Sequence, residues 1–400
     1  MYLSNGNYDK ARTTFDNILN FYSNTEEGNE AKGFIQKIQN NDLTNVATPL
    51  IGILLPIHKH ISGEISDAGS EILGGIKFAI SNYNNTHKEK VGLLIRNTEG
   101  ENKNIQLIKN EFSSLPQMKL IIGPIYSNEV KKVLDVFKDT NIPIISPTAT
   151  ENGLTDLYPN FFQANPSFAI RGKVMAQYIY YVENKRKMSV LNAIDGYSPL
   201  LANAFVEEFK SLGGEILSEQ NYRSNTFDLS EQVSKIAADS LTLEGVYLPL
   251  ANKSDVPAIL SQFVQHNLNV PIYGNQDWFT AKGFETSPEL SNKLTFTSDY
   301  YIDFNNKAFQ KFSKDFLNIT NIDADRNVLY GYDITEYVLN IVKNFNSSRD
   351  TIKNELESGI IFRGFHNNIF FDGNRVNKFL NIVRYKDGKF ELVDKFKAGK

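Results

Sequence analysis

Residues Ile142–Thr150 read IPIISPTAT. The run is apolar and rich in β-branching, as expected of a strand buried on both faces. It then stops on a cluster of small hydroxyl side chains. Seven other short runs share the apolar texture: LIGILLP, VGLLIR, KLIIGP, SVLNAI, GVYLPL, VPIYG and KLTFTS. Helical patterns such as SEILGGIKFAISNYN, NIQLIKNEFSSL, NEVKKVLDVFKD, PLLANAFVEEFKSL and DVPAILSQFVQHN lie between them. Continuous apolar strands alternating with helices predict parallel sheets covered on both faces, an α/β fold.

The residues after each strand share a character. After LIGILLP comes HKHISGEISDAGS, after KLIIGP comes IYSNE, and after IPIIS comes PTAT. DGYSP, ANKSD and NQDWF follow SVLNAI, GVYLPL and VPIYG. In open parallel sheets ligands bind outside the carboxyl ends of the strands. Hydroxyls therefore end a buried strand where that end floors a polar cleft. In Gly123-Pro124-Ile125-Tyr126-Ser127 the glycine permits close backbone approach. Ser127 stands where an N-cap belongs, and a helix N-terminus suits a carboxylate or phosphate. Ser127 can cap its helix and face a ligand at once. Ser198-Pro199 and Ser254 with Pro257 also read as helix starts, and Gly213-Gly214 as a helix end.

The 400-residue chain has length for about two or three domains. Hydrophobic residues make up 41% and charged residues 22%, an ordinary globular composition. The net charge of −4 gives no basic patch suited to nucleic acid or an anionic membrane. With no Cys, disulfides, thiol catalysis and cysteine-held metals are excluded. No apolar run reaches the roughly 18 residues of a membrane span. MYLSNGNYDKARTTF lacks an export pattern, so the chain is cytoplasmic or its export segment lies outside this sequence.

Residues 1–48 differ from the rest. Tyr8, Ala11, Phe15, Ile18, Leu19 and Tyr22 recur at helical spacing, as do Ala31, Phe34, Ile35 and Ile38. This predicts a helical hairpin, and GNYDKARTTFDNIL resembles a tetratricopeptide repeat. A plain helical extension is the alternative. One repeat cannot bury its own apolar face, so it needs the rest of the chain, a partner or further repeats. A break near Asn165-Pro166 divides the remainder into two αβ lobes. We expect lobes at 49–165, completed by part of 298–370, and at 166–297, completed by part of 371–400. NVLYGYDITEYVLNIVKNF predicts a long helix. The closing segment predicts strands with turns at Asp372-Gly373 and Asp387-Gly388.

From about residue 50 the chain resembles type I periplasmic solute-binding proteins, nearest the leucine/isoleucine/valine-binding group of amino-acid ABC transporters. ISGEISDAGSEILGGIKFAI, IIGPIYS, IPIISPTATENGLT, DGYSPLLANAFVEEFKSLGGEI and GFHNNIFFDGNR carry the resemblance, in the family's order. It implies two doubly wound lobes joined by three crossovers, here preceded by a short all-α hairpin, with a ligand clamped between the lobes. It also implies that Ser127 contacts the ligand carboxylate. Thr148, Ala149 and Thr150 would supply backbone and hydroxyl contacts, and Tyr197 would close over the ligand. Three positions depart from the pattern. Ala68 replaces an aromatic wall. Leu250 or Ala251 stands where a Tyr is common. Gln276, beside Asp277, stands where an acidic residue often anchors the ammonium, which an amide holds more weakly. Trp278 reads as a pocket wall or as core.

No GxSxG, P-loop, GxGxxG or HExxH motif supports an enzyme, and no cofactor is implied. His58 and His60 could ligate a metal from one loop but lack an obvious third ligand. Asp323 and Asp325 read as a solvated loop. The resulting expectation is an extracytoplasmic binding protein for an amino acid or similar carboxylate, partnered by an ABC permease. The alternative is a protein-binding regulator of the cell envelope, similar to the penicillin-binding-protein activator lipoproteins, which join a tetratricopeptide-like part to a solute-binding-like domain.

Overall fold

The computed structural model describes residues 8–23, 25–39, 48–57, 68–98, 102–283 and 287–399. The chain forms two α/β lobes behind a helical hairpin. The first sheet contains β1 (Leu50–Leu55), β2 (Gly92–Asn97), β3 (Met118–Ile122), β4 (Ile144–Ser146) and β5 (Phe161–Gln163). Their order is β2-β1-β3-β4-β5, all parallel. The second sheet is built on β6 (Lys187–Ala193), β7 (Glu215–Tyr222), β8 (Val246–Leu248), β9 (Ile272–Gly274) and β10 (Leu294–Ser298). A two-stranded ribbon, β11 (Phe362–Arg363) with β12 (Asn368–Ile369), precedes β13 (Phe379–Lys386) and β14 (Lys389–Lys397). The last two strands extend the second sheet antiparallel, in the order β14-β13-β10-β9-β8-β6-β7. Asp387 and Gly388 link them with φ of 48° and 80°, the left-handed pair that matches a hairpin's twist.

The chain crosses between the sheets after β5, after β10, and again before β13. The Arg326–Ile341 helix belongs with the first sheet, sharing a core with Ile51, Ile53, Ile72 and Ile76. It lies tight against the Ala68–Thr86 helix: a Cβ on Gly331 would sit 2.0 Å from the Ile72 carbonyl oxygen. At the first crossing, Gln163 N–H donates to Arg375 O at 2.8 Å and Asn377 N–H donates to Gln163 O at 2.9 Å. The first and third crossings are therefore bonded side by side.

Three expected helix starts differ. The Ser127–Phe137 helix has Tyr126 at its N-cap, without a side-chain bond. Ser198 Oγ donates to Pro249 O instead of capping, and accepts from Ala193 N–H at 3.2 Å. Asn252, not Ser254, caps the turn that leads into Val256–Gln265. In each case a neighbouring loop supplies a better-placed partner than the helix itself. Asp325 is no solvated loop residue; it caps the Arg326–Ile341 helix by accepting from Val328 N–H at 2.9 Å.

The hairpin pairs Tyr8–Tyr22 with Glu26–Gln39. Ala11 and Ala31 are buried between the helices, and the Phe15 and Phe34 rings stack at 5.1 Å. Phe21 and Tyr22 remain 80% and 57% exposed. Among the described residues no helix is long and apolar enough to cross a membrane.

Candidate functional site

Each sheet reverses strand order once. In the first, β1 lies between β2 and β3, so the crevice opens where the chain leaves β1 and β3. In the second, β6 lies between β7 and β8, and the crevice opens after β6 and β8. Ser127 follows β3 and Tyr197 follows β6, so the two residues occupy matching places in the two lobes.

At the first-lobe end the hydroxyls staple loops together. Ser146 Oγ donates to Pro124 O at 2.6 Å and Thr148 Oγ1 donates to Ile125 O at 2.7 Å. Ala149, fully buried, gives its N–H to Ser146 Oγ at 3.2 Å. Ser127 Oγ accepts from the N–H groups of Thr150 at 3.2 Å and Glu151 at 3.3 Å. Those two donors come from the loop beyond β4, so the Ser127 oxygen is occupied and does not cap the helix. With its lone pairs taken, Ser127 keeps one proton to donate outward. Among the described residues the Thr150 hydroxyl has no hydrogen-bond partner. Gly123 makes this end possible: at φ +101° it lies against β1, where a Cβ would stand 1.9 Å from Leu54 O.

The second-lobe end is joined to the first through residues 165–171. Phe168 N–H donates to Thr150 O at 3.0 Å, and the Phe168 ring stacks on Tyr197 at 5.1 Å. The Tyr197 hydroxyl donates to Asp277 Oδ2, which also accepts from Asn275 Nδ2 at 2.8 Å. Burial, and then the Asp277 charge, pushes the Tyr197 pKa up, so the phenol keeps its proton. Burial also raises the Asp277 pKa, opposed by the bonds from Tyr197 and Asn275.

Arg171 completes the ring of contacts. Its guanidinium donates to Pro166 O at 3.0 Å, Asn165 Oδ1 at 2.8 Å, Asp299 Oδ2 at 2.8 Å and Gln276 Oε1 at 2.6 Å. Asn165 Nδ2 reaches Asp299 Oδ2 at 3.0 Å and, at 3.4 Å, Thr148 O. A single buried cation thus ties the first two crossings to the loop after β9.

The sequence reading did not pick out Arg171, Asn165, Phe168 or Asp299. The available signal was a lone Arg in the apolar stretch FAIRGKVMAQYIYY, since an unpaired Arg is almost never fully buried. Trp278 lies apart from the ring. It is 1% exposed, packs in the second-lobe core and donates Nε1–H to Leu248 O at 3.1 Å. Trp278→Phe is expected to cost about 1–3 kcal/mol in denaturant unfolding. Ligand affinity should stay within a factor of about two; a larger drop would return Trp278 to the cleft. Ala68 opens its helix and packs on the first-lobe core; Leu250 is fully buried. His58 and His60 lie outside the described residues, among which no group of three or more His, Cys, Asp or Glu is placed to hold a metal.

The profile of the periplasmic binding protein family matches residues 51–389. The chain belongs to that family. Leu/Ile/Val-binding protein homolog 3 of Brucella melitensis biotype 1 is 25% identical over 193 residues, 46% of this chain and 50% of that protein. The chain therefore matches about half the length of this curated relative. Among solved structures, a Rhodospirillum rubrum protein assigned to a branched-chain amino acid ABC transporter superposes with a TM-score of 0.75 at 16% identity. The match covers 86% of this chain and 100% of that one. An ABC transporter substrate-binding protein from Desulfitobacterium hafniense, in complex with Leu, gives 0.61 at 20% identity over 86% and 99% of the chains. A solute-binding protein from Rhodopseudomonas palustris BisB5, in complex with 3,4-dihydroxybenzoic acid, gives 0.55 at 15% over 88% and 98%. These likenesses establish the fold of this periplasmic binding protein.

Proposed function

We propose that this periplasmic binding protein clamps a small carboxylate-bearing ligand, an amino acid or a relative of one, between its lobes and delivers it to an ABC permease. The observation that carries the reading is the ring of contacts from Thr148 and Thr150 through Phe168, Tyr197, Asp277, Gln276 and Arg171 back to Asn165. It places donors from both lobes around the first crossing. The first lobe would hold the carboxylate through the Ser127 and Thr150 hydroxyls; Tyr197 and the Gln276–Asp277 loop would close from the second. Leu and 3,4-dihydroxybenzoic acid, held by the two fold relatives above, both carry a carboxyl group. In this reading the lobes are 49–165 with part of 298–370 and 166–297 with part of 371–400. The protein works outside the cytoplasm and has no catalytic role.

A thermal-shift panel of the twenty amino acids, small organic acids and short peptides tests the reading. A ligand at about 100 times its Kd stabilises the fold by about 2.7 kcal/mol. Ser127→Ala and Thr150→Ala should each weaken that ligand by about tenfold or more. Unchanged affinity in both variants would rule out this cleft. A second reading, a protein-binding regulator, is favoured by the exposed Phe21 and Tyr22 on the hairpin. No shift across the panel would turn the conclusion to it.

A further inference from the structure

We propose that Arg171 sets the ligand class of the cleft, so that the site takes 2-oxo acids in preference to zwitterionic amino acids. The inference rests on the clamp reading above and narrows it.

Gln276 has one acceptor, its Oε1, and two donors on Nε2. A guanidinium only donates, so the contact with Arg171 at 2.6 Å fixes the amide orientation: oxygen toward Arg171, nitrogen away. The opposite orientation would set N–H against N–H. Arg171 cannot swing clear, because Pro166 O, Asn165 Oδ1 and Asp299 Oδ2 hold its Nε and both Nη2 protons and it is 5% exposed. Among the described residues no acceptor takes the Gln276 Nε2 donors. The second-lobe end therefore presents N–H groups.

The neighbouring charges reinforce this polarity. Asp299 is paired to Arg171, and Asp277 Oδ2 already accepts from the Tyr197 hydroxyl and Asn275 Nδ2. Among the described residues Asp299 Oδ1 also lacks a hydrogen-bond partner but is buried, so of these two carboxylates it is Asp277 Oδ1 that is left to compete for a cation. An ammonium, which carries only donors, would meet the Gln276 N–H groups donor to donor and leave its own protons unpaired. A carbonyl oxygen in the same place would accept from them. A site organised to pair one polar group discriminates strongly against an analogue that cannot form the bond.

Titration calorimetry on the full chain decides this with carbon-skeleton pairs: leucine against 4-methyl-2-oxopentanoate, glutamate against 2-oxoglutarate, and phenylalanine against phenylpyruvate. The expected result is at least about tenfold tighter binding of the 2-oxo acid in the pair that binds best. Gln276→Glu, which adds an acceptor and a negative charge, should shift that ratio toward the amino acid by about tenfold or more. Tighter binding of the amino acid by wild type would overturn the proposal and leave the clamp standing. Loss of that amino-acid binding in Asp277→Asn would then name Asp277 as the ammonium anchor. If no carboxylate in any pair binds, the clamp reading itself falls, and this inference with it.

Discussion

Arg171→Ala is expected to destabilise the protein by about 3–5 kcal/mol in urea unfolding, the range for removing one partner of a buried ion pair. The side chains of Arg171 and Asp299 are 6% and 4% exposed. Without the guanidinium, Asp299 would remain a buried carboxylate bonded by the Asn165 amide, with the Arg326 charge and the Tyr330 hydroxyl as its other neighbours. Burial alone would raise the Asp299 pKa. The Arg171 charge, the Asn165 bond, the Arg171 bond and the Arg326 charge together outweigh burial and hold it below the usual carboxylate range. A depressed folded-state pKa contributes stability that is present above the unfolded value of about 3.9 and lost as pH falls through the folded value. In the variant the balance reverses: Asp299 takes up a proton more readily, which relieves the stranded charge. The gap between wild type and variant should therefore narrow as pH falls from neutral toward about 4. A loss below about 1 kcal/mol, or a gap independent of pH, would show that the pair does not hold the crossings together.

Gly123→Ala should cost about 2–6 kcal/mol. One part is backbone strain of about 1–3 kcal/mol, because φ +101° is a conformation that L side chains rarely adopt. The other is overpacking of about 1–3 kcal/mol, because the new Cβ would lie 1.9 Å from Leu54 O. Strand backbone cannot yield there without disturbing β1, which pairs with both β2 and β3. Either β1 or the loop bearing Ser127 must shift, so ligand affinity should fall along with stability. Guanidinium unfolding and calorimetry on the folded fraction measure the two effects separately. A variant within about 1 kcal/mol of wild type would mean that the turn relaxes without the glycine.

The two-lobe α/β architecture was legible because its central strands are continuous apolar runs and polar clusters follow them at one end. Elements that break that pattern escaped notice. β7, reading EILSEQNY at the sheet edge, is half polar because one side of it meets water. β5 is three residues long, too short for any period. The Phe168–Tyr181 helix is covered on most of its surface, burying Arg171 and Gln177 along with Val174, Met175 and Ile179, so it has no clear polar stripe. The Lys307–Thr320 helix has a clear face of Phe309, Phe312 and Phe316, yet it was not picked out within its polar surroundings.

For the candidate site the division is sharper. Local sequence carries strand ends, turn residues and hydroxyl clusters, and these place Ser127, Thr148, Thr150 and Tyr197 after their strands. Those features depend on neighbours a few residues apart. Which atoms the hydroxyls meet depends on loops far apart in the chain: Ser127 turns to Thr150 and Glu151, and Thr148 to Ile125. Arg171 reaches Asp299 and Gln276 across more than a hundred residues. Trp278 could be wall or core until the fold placed its indole against Leu248. Sequence by itself determined the fold class and which end of each sheet is polar, because periodicity and strand termination are local. Tertiary structure alone decided the polarity of the second-lobe end, because it follows from one buried guanidinium and the acceptor it occupies.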